Sequence, residues 1–435
     1  MDDQRSNFAP SPYPSVPNHI ENDPTPRDQA IYVPSVSASF AIEVYKKDFG
    51  RDLPYGVDAN DLNILDPDNK LFNISHAMTS AGQAVDQKRP CIITERDRKR
   101  TLVIGDSCGY QIATNRLRIN GDADRLKILR WLEKTADVAI TLDTPTGPLL
   151  KPDYQFSSFK DCLNTTIEHL DFFSRNRVDG EVTFLNVLHG NNRGETDIWY
   201  DAVKHYPFEG WAFASVMRHN MSSLCRRILI MADENKIQNK KWIHVLGTCE
   251  IETAVLLTAL QRAINIHIND QLRISYDTSS PFRIISKGLV YTMPIFERQR
   301  MVMGQRKAPS GYGLVKSPLR FPWSSPLGDK MLLGDFCVDR GVHAGNTLDK
   351  LSNIYLAHHN LAALCFGIAA ANRIFDAENV DHNHTIGVPA GAAVEAINKI
   401  FKVGTMTELW KYDRTFSHLR HGLPPVTSGE DEREF

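Results

Sequence analysis

Thr101-Leu102-Val103-Ile104-Gly105-Asp106 is a short apolar run that closes on an acid, and Val138-Ala139-Ile140-Thr141-Leu142-Asp143 repeats the pattern. Ala123 to Lys134, between them, reads as a helix. Strand, acid, helix, strand, acid is one βα unit and the start of the next. Working outward, apolar runs with β-branched or aromatic residues recur at Cys91 to Thr94, Val182 to Leu188, Trp211 to Val216, Trp242 to Leu246 and Ile274 to Tyr276. Helices are predicted over Phe159 to Ser174, Glu195 to His205, Ser222 to Ala232 and Glu250 to Ile264. The last follows Thr248, a candidate N-cap, and sets Ile251, Ala254, Val255, Thr258 and Ala259 on one stripe.

This repetition, over about 200 residues, predicts an α/β fold with a parallel sheet, and a (β/α)8 TIM barrel fits that length as one domain. An open, doubly wound sheet is the competing architecture. The barrel is preferred because polar residues follow several different strands, and a barrel gathers such strand ends around one pocket. Asp106 follows Ile104, Asp143 follows Leu142, His189 follows Leu188, Ser215 and Val216 end another run, and Asp277 follows Tyr276. A lone acid after a strand is most often an N-cap or loop anchor. Three acids at one end of successive strands repel one another, and a ligand or a mechanism must offset that.

The 435 residues carry 50 Lys and Arg against 52 Asp and Glu, a net charge of −2, which excludes a polycation that binds nucleic acid by bulk charge. Seven scattered cysteines without a Cys-x-x-Cys pair fit a reducing compartment. No apolar run reads as a signal peptide or membrane span, and Leu361 to Ala371 is expected to be a core helix. Residues 1–38, with Pro10, Pro12, Pro14, Pro17, Pro24, Pro26 and Pro34, are expected to be a disordered arm. The barrel is assigned to 39–421 and an acidic disordered tail to 422–435.

The segment Asp106-Ser107-Cys108-Gly109-Tyr110-Gln111 resembles the Asp-Ser-Gly-Gly-Phe/Tyr-Gln motif of the tRNA-guanine transglycosylases. Asp143 is similar in position to that family's second base-binding aspartate. Leu188-His189-Gly190-Asn191 resembles its Val-Gln-Gly-Gly turn, and the segment from Gly210 to Val216 resembles its Gly-Tyr-Ala-Ile-Gly-Gly-Leu strand. Val245-Leu246-Gly247-Thr248 is similar to its Met-Gly-Val-Gly turn. Ser275-Tyr276-Asp277-Thr278 stands where the family has Phe-Asp-Cys, and Ala357-His358-His359-Asn360-Leu361 resembles the start of its last barrel helix. These motifs keep the family's order over roughly residues 85–376.

The resemblance implies that Asp277 is a nucleophile and Asp106 a general acid/base. It implies that Asp143, Tyr110, Ser107, Gln111, His189, Gly190, Ser215 and Val216 form the base pocket. The departures are Cys108 for a glycine, His189 for a glutamine and Ala214-Ser215 for a glycine pair. The family's Cys-x-Cys-x-x-Cys zinc cluster is also missing. Cys337 stands alone in that span, so no structural zinc and no other cofactor is expected. His343, His358 and His359 are read as ordinary loop and helix residues, and the pair His382 and His384 as solvated. An inserted basic subdomain is placed at about 285–350, before the last barrel helix. Arg298, Arg300, Arg306, Lys307, Lys316 and Arg320 there are read as a flexible loop; the last four are the candidates for contacting a nucleic-acid backbone.

The departures bring the chain closest to the family's phage-type paralogues, which insert 7-deazaguanines into DNA. The implied activity is therefore a DNA-guanine transglycosylase, with DNA and a 7-deazaguanine base as partners, a homodimer as its assembly, no membrane, and a cytoplasmic location in the host. A tRNA-guanine transglycosylase and a non-catalytic nucleic-acid-binding member are the alternatives.

Overall fold

Leu102 and Ile104 point to the same face of their strand, and the period-two pleat sends Asp106 to that face as well, at the strand's carboxyl end. The computed structural model describes residues 25–87, 89–248, 250–339, 348–376 and 386–420. Eight strands form one parallel sheet: β1 (Ile31–Pro34), β2 (His76–Ser80), β3 (Leu102–Asp106), β4 (Val138–Ile140), β5 (Thr183–Leu188), β6 (Gly210–Phe213), β7 (Trp242–Val245) and β8 (Arg273–Thr278). Their order is β1-β8-β7-β6-β5-β4-β3-β2. The two ends meet where Ser35 bridges Met78 and the Val36 N–H donates to the Met78 carbonyl at 2.9 Å, so the sheet is a nearly closed (β/α)8 barrel.

Val33, Met78, Leu102, Ile104, Val138, Ile140, Leu185, Val187, Ala212 and Trp242 fill the interior of the barrel. The next inward positions on β3, β7 and β8 are Asp106, His244 and Asp277, which is why polar groups collect at one mouth. The outer helices bury their apolar stripes on the sheet. They span Asp122–Thr135, Phe159–Asn176, Arg193–Val203, Met221–Asp233 and Ile251–His267, within a few residues of the predicted ranges.

Several expectations are corrected. Cys91 to Thr94 is a turn, not a strand, because Thr94 Oγ1 accepts the Cys91 N–H at 3.0 Å and closes the backbone on itself. The barrel strands missed are β1 and β2. Because β1 lies within residues 1–38, the disordered arm cannot extend that far: Ile31–Pro34 pairs with β8, Ile31 opposite Ser275. Trp211 to Val216 is strand only to Phe213; Ser215, at φ +51°, turns the chain into the 3-10 turn Ser215–Arg218. Thr248 is not an N-cap; that position belongs to Glu250.

The insertion is built on an antiparallel hairpin, β9 (Leu289–Phe296) and β10 (Met301–Lys307). Arg300, Arg306 and Lys307 therefore belong to an ordered hairpin rather than a flexible loop, and Arg300 pairs with Glu297 at 2.7 Å. Val290, Phe321, Leu327, Met331 and Phe336 pack against Leu351, Tyr355 and Leu361 of the helix Lys350–Asp376. That helix is far longer than Leu361 to Ala371. Its length and composition would suffice to cross a membrane, yet 78% of its most apolar window is buried inside the protein. His359 ties it to the insertion: Nε2 donates to the Tyr291 carbonyl at 2.9 Å, and Nδ1 takes the Ser325 hydroxyl at 2.7 Å. Asn360 accepts the Tyr291 N–H at 2.8 Å. His343, His382, His384, the tail 422–435 and most of the Pro-rich arm lie outside the described residues.

Candidate active site

Asp106 ends β3 with some solvent access, but burial of its carboxyl raises its pKa from 3.8 to about 7. The charges of Asp143 and Asp277 push it the same way, while hydrogen bonds from Ser80 and the Cys108 N–H oppose the rise. Acids that act on each other's charge in this way belong to one electrostatic unit, so the barrel brings together three residues far apart in sequence. Gln111, buried, lies 3.2 Å from the Ser80 hydroxyl and so braces the group beside Asp106.

Asp143 has both carboxylate oxygens engaged. Oδ2 accepts from His189 Nε2 at 2.7 Å, and Oδ1 lies 3.3 Å from the Ser107 hydroxyl, which also reaches the Thr141 carbonyl at 2.9 Å. His189 Nδ1 meets the Ser215 hydroxyl at 2.9 Å, and its ring packs edge-on against Trp199. Gly109 lets the chain pass close by, since a Cβ there would stand 3.3 Å from both Asp143 oxygens. Gly190, at φ +136°, has no room for a side chain against the Thr196 backbone, and its carbonyl accepts the Val216 N–H at 3.2 Å.

Asp277 is held differently. Its Oδ1 accepts the Gly247 N–H at 2.6 Å and meets His244 Nε2 at 3.2 Å, whereas Oδ2 has no partner among the described residues. The buried His244 places Nδ1 2.8 Å from Ser275 Oγ, which also accepts the Trp242 indole N–H at 2.6 Å. The indole can only donate, so the Ser275 proton is free to point at Nδ1, leaving Nε2–H to donate to Asp277. Sequence reasoning missed His244, Ser275, Trp242 and Ser80. Their signal was parity: Trp242 and His244 alternate on β7, and Ser275 stands two residues before Asp277.

Tyr110, 40% exposed, lies on the short helix Gly109–Ala113 that follows β3. Cys108 and Ser215, two of the positions where the resemblance expects glycine, have φ of +89° and +51°, in the left-handed region that favours glycine. Arg306, Lys307, Lys316 and Arg320 are exposed on the hairpin and the loop after it, and none of them lines the cavity beside Asp277. Among the described residues, no three His, Cys, Asp or Glu side chains gather as a metal-ligand set.

Fold and site together define a (β/α)8 barrel with three interacting carboxylates and two histidine relays at the carboxyl ends of its strands. No protein-family model matches the chain, and no curated protein resembles it significantly.

Proposed function

We propose that the protein is a DNA-guanine transglycosylase, a pentosyltransferase that exchanges guanine in DNA for a 7-deazaguanine base. The observation that carries this reading is the division of labour among the acids. Asp106 has a pKa of about 7, Asp143 has both oxygens engaged, and Asp277 keeps one oxygen free. The unpartnered Asp277 Oδ2 attacks C1′ of the target sugar as the bond to the guanine nitrogen breaks, and that bond's electron pair leaves with the base. Asp106 donates a proton to the departing guanine. It then takes one from the incoming base, whose nitrogen displaces Asp277 and restores the original face. Asp143, oriented by His189, reads the purine edge; Tyr110 stacks on its face, and the Gly190 and Ser215–Val216 segment walls the pocket.

The left-handed backbone at Cys108 and Ser215 supports the reading, because the chain keeps the turn shape there although the glycines are gone. DNA is preferred to tRNA on the departures at Cys108, His189 and Ala214-Ser215 and the rebuilt insertion. The target base must leave the stack, and Arg306, Lys307, Lys316 and Arg320 offset part of that cost by holding the backbone. The product is modified DNA that resists restriction, made in the cytoplasm of the host. Incubation with radiolabelled guanine and either duplex DNA or bulk tRNA tests this: label enters DNA. Label in tRNA alone overturns the choice of polymer, and abasic sites without label overturn base exchange.

A further inference from the structure

A cavity of about 560 Å³ opens between the ends of β6, β7 and β8 and the C-terminal helices, next to the Gly247 whose N–H holds Asp277. Arg193, Arg218, Gly247, Thr248, Thr278 and Ser280 are among the residues lining it. Arg218 ends the 3-10 turn after β6 and reaches over Gly247: a Cβ on that glycine would come within 2.8 Å of Arg218 Nη1. The same glycine's N–H holds Asp277 Oδ1 at 2.6 Å, so the guanidinium stands next to the free-oxygen acid.

Three buried or half-buried arginines are paired, Arg96 with Asp137, Arg177 with Glu209 and Arg227 with Asp197. Arg218 is solvent-exposed at the edge of this cavity and forms no hydrogen bond or ion pair among the described residues. An accessible guanidinium that no partner holds can present its fork of N–H donors to an anion. Asp277 is the acid whose charge acts on the guanidinium, and Glu250, Glu252 and Asp413 also line the cavity.

We propose that Arg218 holds a backbone phosphate flanking the target nucleotide, making this cavity the subsite that distinguishes a polynucleotide from a free nucleoside. The assignment rests on the base-exchange reading, since the three acids alone would serve a nucleoside equally well. A phosphodiester beside the sugar brings two unesterified oxygens to a fork that binds them in pairs. Arg218 also shields the attacking carboxylate from the negative backbone.

The test compares wild type with Arg218→Ala and Arg218→Lys on a guanine-containing oligonucleotide and on the matching nucleoside. In Arg218→Ala, the ratio of kcat/KM for oligonucleotide to that for nucleoside falls about 10- to 100-fold. KM for the incoming base holds, Arg218→Lys recovers part of the loss, and the salt slope of oligonucleotide binding falls by about one. Equal losses on both substrates, or a change confined to KM for the base, overturn the subsite; the second result would assign Arg218 to an oxyanion on the incoming base. Wild type that exchanges nothing sinks the base-exchange reading instead. Arg218 is then judged by oligonucleotide anisotropy, where affinity and salt slope unchanged by Arg218→Ala overturn the phosphate contact.

Discussion

Asp143 and Asp277 each end a Ser-His-Asp relay, yet the two relays leave their acids in different states. Ser215, His189 and Ser107 engage both oxygens of Asp143. Ser275, His244 and the Gly247 N–H all converge on Oδ1 of Asp277 and leave Oδ2 open. A carboxylate with both oxygens engaged is fixed in place and suited to hold a ligand's edge; one gripped from a single side can attack. Residue type is the same in both relays, so role follows from which oxygen the surroundings leave free.

The largest effect separates the two acids. Asp277→Ala is expected to remove exchange by about 10⁴-fold or more and to abolish a covalent protein–DNA adduct on denaturing gels. Asp143→Ala should weaken base binding and still allow the adduct to form. An adduct that survives loss of Asp277 but not of Asp143 would invert the comparison.

Asp106 sharpens it through pH. Its folded pKa is raised from 3.8 to about 7, so the fold favours the neutral acid. Its contribution to stability is fully present below the unfolded value and is lost as pH rises through about 7. Asp106→Asn removes that loss, and chemical unfolding at pH 8 should find the variant more stable by roughly 2–4 kcal/mol, with little difference near pH 4. Exchange by the variant should be lost at every pH. Equal stability at pH 8 would show that Asp106 is not held neutral by its surroundings.

The smallest effect distinguishes the histidines. His244→Ala should lower kcat by about 10- to 100-fold with little change in KM for the base, because it frees the Asp277 carboxylate to rotate. His189→Ala should raise KM for the base and leave kcat nearer wild type. His244→Gln, which still donates to Asp277, should recover part of the loss; matching kinetic profiles for both alanine variants would erase the distinction.

The βα repeat from β3 to β8 was legible in the sequence because each strand is a buried apolar run and each following helix carries its own stripe. β1 and β2 were not. Ile31–Pro34 lies beside prolines, His76–Ser80 has no continuous apolar run, and both become strands by pairing with β8 and β3. Asp106, Asp143, His189 and Asp277 were legible because they follow apolar runs. His244 and Ser275 were hidden inside strands, where a polar residue announces itself only once its inward face is known. The hairpin of the insertion was hidden too, since the Arg and Lys of β10 read as solvated loop without β9 beside them.

The sequence by itself determined the alternation of strand and helix and the placing of acids at strand ends, because both are set by local periodicity. Only the tertiary structure decided that the sheet closes, which acid keeps a free oxygen, and where Arg218 stands, because these depend on contacts between strands distant along the chain.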